Sequence, residues 1–379
     1  MLTPEQVAGL QVAFEQLADP LNEYIMQDVA RRVSEAGQLT STAQYMIWRG
    51  QQLGMSQRQL KAYLRKYLNV SHREIRRLLT QSAEVGYDFD IRRLPHAQAV
   101  KFQDNAVMQQ IVAAAVELAT ESFTNIVQTT AIGFTAPDGH FYPITEAYYK
   151  TTDFAFSQVA TGVTDYNTAI RQACAKLTAG GVKVIDYASG VHTTLEAAVR
   201  RNIMGGLGLM QEQISKQNHD DLGCDGWEIS AHAASAPDHE PIQGKQYSDA
   251  EYEALNSSLV RHIGTLNCGH AAYPIILGVN SPQYTREELE KFRTDNAKGV
   301  DYEGRHYTMY EATQYQRQIE RAIRAQKRRV LAANATPDKE RQTQTKARLT
   351  ALNAEYVKFS KAVGLRTQEE RLFVSGFAA

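Results

Sequence analysis

The chain has 379 residues, is 43% hydrophobic and carries a formal charge of -1 at pH 7, enough to build two or three domains with packed cores. Three widely spaced cysteines, Cys174, Cys224 and Cys268, imply no disulfide framework. The most apolar run, IVAAAVELA at 111–119, contains Glu117 and falls far short of a membrane span, and MLTPEQVAGL lacks the basic-then-apolar build of a signal peptide, so a soluble protein assembled in a cytoplasm is expected.

Residues 4–35 read as helix, because Leu10, Phe14, Leu17, Leu21, Tyr24 and Ile25 recur at steps of three and four. Ser56 can cap SQRQLKAYLRKYL, and Ser71 with Glu74 forms a capping box ahead of IRRLL, which predicts two short helices joined by NVS. Between Arg58 and Arg77 lie seven Lys/Arg and one acid. Two such helices suit a helix-turn-helix reader of DNA; the plainer alternative is an interaction arm with solvated basic faces. A long Ala-rich helix is expected over 97–132, with Val107, Ile111, Ala115 and Leu118 as its apolar face. HFYPI (140–144) and KVIDYASGVH (183–192) read as short β runs, the second a hairpin around Ala188-Ser189-Gly190. TTLEAAVRRNIMGGLGLMQEQI resumes helix, weakened in its middle by Gly205 and Gly206.

Residues 220–282 are rich in Gly, Pro, Asp, Asn and His, and read as loops with short strands. From Tyr307 the pattern is helical again, with Met309, Ala312, Ile319, Ile323 and Val330 in phase. ATPDKE interrupts it, and then Leu349, Leu352, Tyr356, Phe359 and Val363 form a heptad seam, so 307–363 predicts an antiparallel helical hairpin or coiled-coil arm. The fold class is therefore α+β and mainly helical, a small irregular α/β domain with long helical arms and a C-terminal helical hairpin. The divisions expected are 1–85 (helical arm), 86–300 (core with the His/Cys loops) and 301–379 (basic hairpin). Charge follows them unevenly: 12 Lys+Arg against 10 Asp+Glu over 1–100, 14 against 25 over 101–304, and 15 against 7 over 305–379. An acidic middle and a basic tail suggest surfaces for different partners.

Two segments carry the candidate chemistry, EISAHAASAPDHEPIQGKQYS (228–248) and LNCGHAAYP (266–274). Cys268 and His270 are two apart, so on a strand they share a face and can serve one metal, or act as thiolate and base. Cys224, His232, His239, Cys268 and His270 offer five candidate ligands for zinc, but no spacing matches a standard knuckle. The plainer alternative has the histidines bonded to loop backbone and Cys268 buried as a small apolar residue. A nucleophilic Cys268 with His232 as base, or a metal-dependent hydrolase, is the enzymatic alternative. ASGVHTT at 188–194 lacks the Gly-Lys-Ser/Thr end of a phosphate loop, and GGLG at 205–208 lies within a helical pattern.

GWEISAHAASAPDHEPIQGKQYS, GTLNCGHAAYPIILGVNSP and YEATQYQRQIERAIRAQKRRVLA together resemble the phage minor capsid protein 2 family, which is related to Mu-type head-morphogenesis proteins. The resemblance runs from about residue 85 (VGYDFD) to the C-terminus. The family's first block reads as a histidine, a small stretch with an arginine, a second histidine and Trp-Gln-Gly-Lys; its second is Asn-Cys-Arg-His before a proline. His232, His239, Gln243, Gly244, Lys245, Asn267, Cys268, His270 and Pro274 match. Ala234 or Ser235 stands at the arginine position, Ile242 at the tryptophan and Gly269 between cysteine and histidine, so any role needing the arginine's charge is in doubt.

The resemblance implies a virion protein present in few copies at the portal vertex of a tailed phage, inside or against the head and without enzymatic activity. It implies the portal protein, major capsid or scaffold proteins and double-stranded phage DNA as partners, with a link to DNA ejection in some relatives. Some relatives carry a C-terminal toxin domain; here the helical arm runs to the end of the chain. No cofactor is expected beyond a structural zinc in the His/Cys region, where the same residues otherwise brace the loops. The basic helices, 56–79 and 307–363, are expected to meet DNA or an acidic portal surface. Arg317, Arg321, Arg324, Lys327, Arg328 and Arg329 are the contact candidates; the plain alternative for them is a solvated helix face.

Overall fold

A computed structural model of the chain describes residues 4–39, 41–94, 100–128, 131–136, 139–160, 168–169, 172, 181–185, 190–264, 269–334, 338–374 and 377. The mainly helical α+β class is what these residues adopt. The first predicted helix is two, α1 (Pro4–Gln16) and α2 (Asp19–Gly37), because Pro20 falls in the opening turn of α2. The break is held from outside: Tyr63 donates to the Pro20 carbonyl at 2.9 Å and Tyr67 to that of Leu17.

Those tyrosines belong to α3 (Thr42–Arg93), which corrects the prediction of two short helices. Asn69, Val70 and Ser71 are helical, and the 52 residues run about 78 Å without a turn. Leu60, Leu64, Tyr67, Ser71, Ile75, Leu78 and Ser82 form one buried stripe against α2, α4 and α6, so packing carries the helix through the local capping signal. Glu74 pairs with Arg77 instead of closing a capping box. With no turn between Arg58 and Arg77, the helix-turn-helix reading fails.

The 97–132 helix is also shorter than expected. Asn105 caps α4 (Ala106–Ile126) by accepting from Val107 N at 3.1 Å and Met108 N at 3.2 Å. Its buried face is Met108, Val112, Val116, Ala119 and Phe123, one position on from the predicted stripe, and Leu118 is 57% exposed. Strands β1 (Ile132–Thr135), β2 (Phe141–Pro143), β3 (Lys183–Ile185) and β4 (His192–Thr194) form an antiparallel sheet in the order β2-β1-β3-β4. The two β runs predicted are thus real, and the hairpin register pairs Lys183 with Thr194 and Ile185 with His192; Ala188 and Ser189 lie outside the described residues. Helix α5 (Ile144–Ala160) follows β2. Helix α6 (Leu195–Leu222) runs unbroken through Gly205 and Gly206, as the pattern required, and ends on Gly223 in the left-handed conformation.

A second small sheet, β6-β5-β7, is built from β5 (Gly226–Ile229), β6 (Gln246–Ser248) and β7 (Ala272–Ile275), with α7 (Asp249–Ser258) after β6. Helix α8 (Arg286–Lys298) leads to the hairpin β8 (Val300–Tyr302) and β9 (Arg305–Tyr307). The C-terminal helices α9 (Met309–Asn334) and α10 (Lys339–Ala362) are the predicted pair. Ile319, Ile323 and Val330 pack with Leu349, Tyr356, Phe359 and Val363 in their own apolar cluster, cross-linked by Gln316 to Ser360 at 2.9 Å and Gln326 to the Thr345 carbonyl at 2.9 Å. The main cluster draws on α1 through α6 and reaches Ala332 of α9. Residue 85 lies inside α3, and this cluster takes residues from both sides of it.

Candidate functional site

Strand β5 places the site. Trp227 faces outward and Glu228 inward, fully buried, which a Gly-Trp-Glu-Ile alternation does not announce. The carboxylate is surrounded by donors: Tyr273 Oη at 2.6 Å, Gln283 N at 2.8 Å, Gln246 Nε2 at 3.0 Å and Arg93 at 3.3 Å. One buried acid therefore joins the end of α3 to all three strands. Its signal in the sequence is an acid at an inward strand position, legible only once the strand's buried face is known.

Beyond β5 the two loops meet, and the three histidines of the motif converge. The rings of His232 and His270 stack with centroids 4.3 Å apart, and His239 meets His270 edge-on at 5.3 Å. Gln243, buried, is the bridge: its Oε1 accepts from His232 N at 3.1 Å and lies 2.9 Å from His270 Nε2. A backbone N–H only donates, so that Gln243 atom is the oxygen and His270 Nε2 carries a proton. By the same logic His239 Nε2 donates to the Arg261 carbonyl at 2.9 Å and His232 Nδ1 to the Ala233 carbonyl at 2.9 Å. One nitrogen of each ring is thus committed to an oxygen. Burial, then the charges of His232, His239 and Arg261, hold His270 far below the usual imidazole range, at about 2, so it is neutral at any physiological pH.

The other motif residues have physical reasons. Gly244 sits at φ +69°, where a Cβ would collide with Leu289, while its N–H bonds to the Ile229 carbonyl at 2.8 Å. Lys245 returns a carbonyl to Ile229 N at 3.1 Å and leaves its side chain exposed. Gly269 lies under the His232 ring, which any side chain would displace; the departure from arginine there has a packing cause. Pro274, on the edge strand β7, pairs across from Trp227. Asn267 and Cys268 lie outside the described residues. Cys224 sits at the opposite end of β5 from the histidines, and burial followed by Asp225 pushes its thiol up to about 11, away from the thiolate a ligand or nucleophile needs. Among the described residues no group of three His, Cys, Asp or Glu is arranged to hold a metal.

A cleft of about 440 Å³ opens beside His270, between α6 and α7. His219, Trp227 and Tyr252 stack in series along its wall, at 4.9 and 5.4 Å. His219 presents Nε2 to Asp249 at 2.9 Å and Nδ1 to Asp220 at 3.2 Å.

The basic positions expected on an outer face of α9 are distributed otherwise. Arg328 is buried between Asp19 at 2.9 Å and Glu196, and Arg324 pairs with Glu15 at 2.9 Å. Lys327 donates to the Leu372 carbonyl at 2.7 Å and Arg329 to Gln326 at 3.2 Å; Arg317 is half-buried and Arg321 exposed. The reason lies in distant carboxylates on α1, α2 and α6 that draw the cations inward. A continuous exposed basic face lies on α3, where Arg58, Lys61, Arg65, Lys66, Arg73, Arg76 and Arg77 all face solvent; α10 also exposes Lys339, Lys346, Arg348, Lys358 and Lys361.

A family model described as phage minor capsid protein 2 matches residues 2–359, so the match takes in the N-terminal helices ahead of VGYDFD as well as the histidine loops. No curated protein and no solved structure was found to match. With nearly its whole length matched, from α1 to the last turn of α10, the chain belongs to the phage minor capsid protein 2 family and is a structural protein of a phage.

Proposed function

We propose that this capsid protein joins the head at the portal vertex and lays the outer face of α3 along packaged DNA, without enzymatic turnover. One observation carries the reading: seven exposed cations on a single uninterrupted helix, of which, among the described residues, only Arg77 is ion-paired. Residues 58–77 span about 30 Å, the length of about nine base pairs, and offer phosphates a row of cations and no base-reading turn. Such contacts are independent of DNA sequence and weaken with salt. The portal and the capsid or scaffold are the protein partners, with the acidic middle of the chain facing them. In this reading His232, His239 and His270 brace the two loops through Gln243; their committed nitrogens support that over catalysis.

The test is duplex binding by the full chain, followed by fluorescence anisotropy across a salt series. Replacing Lys61, Arg65, Lys66 and Arg76 by Glu should flatten the slope of log K against log salt by about 4, since each phosphate contact contributes roughly one. Wild-type affinity that is insensitive to salt, or unchanged in the quadruple variant, defeats the DNA contact.

A further inference from the structure

We infer that a cleft between α1, α6, α9 and the short 3-10 turn at Glu369–Leu372 is a discrete binding site for one phosphoryl group, separate from the α3 face. Five arginines line it, Arg200, Arg317, Arg321, Arg324 and Arg371, with only Glu15 and Glu320 as acids. The acids are already used. Glu15 takes Arg200 at 2.7 Å and Arg324 at 2.9 Å, while Glu320 accepts from Tyr356 at 3.0 Å and faces Arg371 at 3.8 Å. Arg317 and Arg321 have no hydrogen bond or ion pair among the described residues, and Arg200 Nε is buried without an acceptor.

A concave site with three more cations than anions and unmet guanidinium donors is complementary to an oxyanion, because the planar fork of arginine matches two oxygens at once. Burial, then the like charges of Arg371 and Arg200, press against the Arg317 cation, a repulsion that a bound anion reverses. The space is about 40 Å³, on the order of three waters at ~10–15 Å³ each. That admits a tetrahedral oxyanion and excludes a base or nucleoside. The phosphoryl group comes either from a DNA backbone reaching the rim at Arg321 or from free phosphate.

The experiment uses the full chain, melted in increasing inorganic phosphate at constant ionic strength, with acetate as control. Phosphate should raise the melting temperature and acetate should not. Arg321→Gln, exposed and harmless to packing, and Arg317→Lys, which keeps the charge but loses the fork, should each weaken the phosphate response about ten-fold or more. A melting temperature indifferent to phosphate overturns the site, as does an equal response to acetate or an undiminished response in both variants. To separate the sources, duplex DNA is titrated against Arg321→Gln: a salt slope lower by about one assigns the group to DNA, and an unchanged slope with the phosphate response lost assigns it to free phosphate. The α3 charge-reversal variant must keep the phosphate response whatever becomes of its DNA binding, so the two sites fail separately.

Discussion

Helices α3 and α9 have nearly the same density of basic residues, yet one displays them from Arg58 to Arg77 and the other leaves only Arg321 fully exposed. On α3 the buried stripe is Leu60, Leu64, Tyr67, Ile75 and Leu78, and all seven cations from Arg58 to Arg77 fall on the opposite face. On α9 the apolar positions Ile319, Ile323 and Val330 turn toward α10, and a second face packs on α2 and reaches carboxylates on α1 and α6. Arg324 and Arg328 lie on that second face, where Glu15, Asp19 and Glu196 await them. A charged helix packed along one face presents charge to solvent; packed along two, it needs counter-charges on the second face. Charge density alone does not distinguish the cases.

The largest way to break this comparison is at Arg328. It is 6% exposed, and its removal leaves Asp19 and Glu196 buried together with no cation between them. Arg328→Ala is expected to cost about 3–5 kcal/mol in urea unfolding, the range for a buried pair stripped of one partner. A loss under 1 kcal/mol would mean that α9 is held by its apolar seam alone. Arg328→Met combined with Asp19→Asn and Glu196→Gln should recover much of the loss, because the neutral triple leaves no buried charge unpaired.

The contrast explains what was legible in the sequence. The α9–α10 hairpin was, because Leu349, Leu352, Tyr356, Phe359 and Val363 repeat at heptad spacing within one element. The break predicted at Asn69-Val70-Ser71 fails for a related reason: Ser71-x-x-Glu74 is a true local capping pattern, but Ser71 also continues the stripe begun at Leu60, and packing against α4 and α6 decides between them. The partners of Arg328 were not legible at all, since they lie 309 and 132 residues away. The histidine loops stand between these extremes. Residue types and motif order marked His232, His239 and His270, but the role of Gln243 as the shared acceptor depends on a fold that brings two distant loops together.

A smaller effect sharpens the comparison by pH. His270 is held at about 2 against roughly 6.5 in an unfolded chain, so between those values the unfolded state binds more protons and stability falls as pH falls, by up to about 1.4 kcal/mol per unit. Asp19 behaves in the opposite sense. Burial, partly offset by Arg328, raises it to about 6 against roughly 3.9 unfolded, so over that window the native state holds the extra proton and stability falls as pH rises. The two regions therefore oppose each other between about pH 4 and 6. His270→Gln should unfold with a weaker loss of stability on acidification than the wild type, and Asp19→Asn with a steeper one. Parallel pH profiles for both variants would show that neither group is shifted by its burial.

The smallest expected effect is the most direct reading of the outer helix. Arg65 and Lys66 are exposed, have no acid partner among the described residues and sit opposite the buried stripe. Replacing either by Ala should change unfolding free energy by no more than about 0.5 kcal/mol, since a solvated cation on a helix surface does little for stability and Ala is the better helix former. The same substitutions should each take about one from the salt slope of duplex binding. Function without stability on α3, and stability without direct DNA contact at Arg328, is the pattern that follows from one helix having a single packed face and the other having two. A drop of 2 kcal/mol or more in Arg65→Ala would place an unrecognised packing partner over α3 and remove the free basic face on which DNA contact depends.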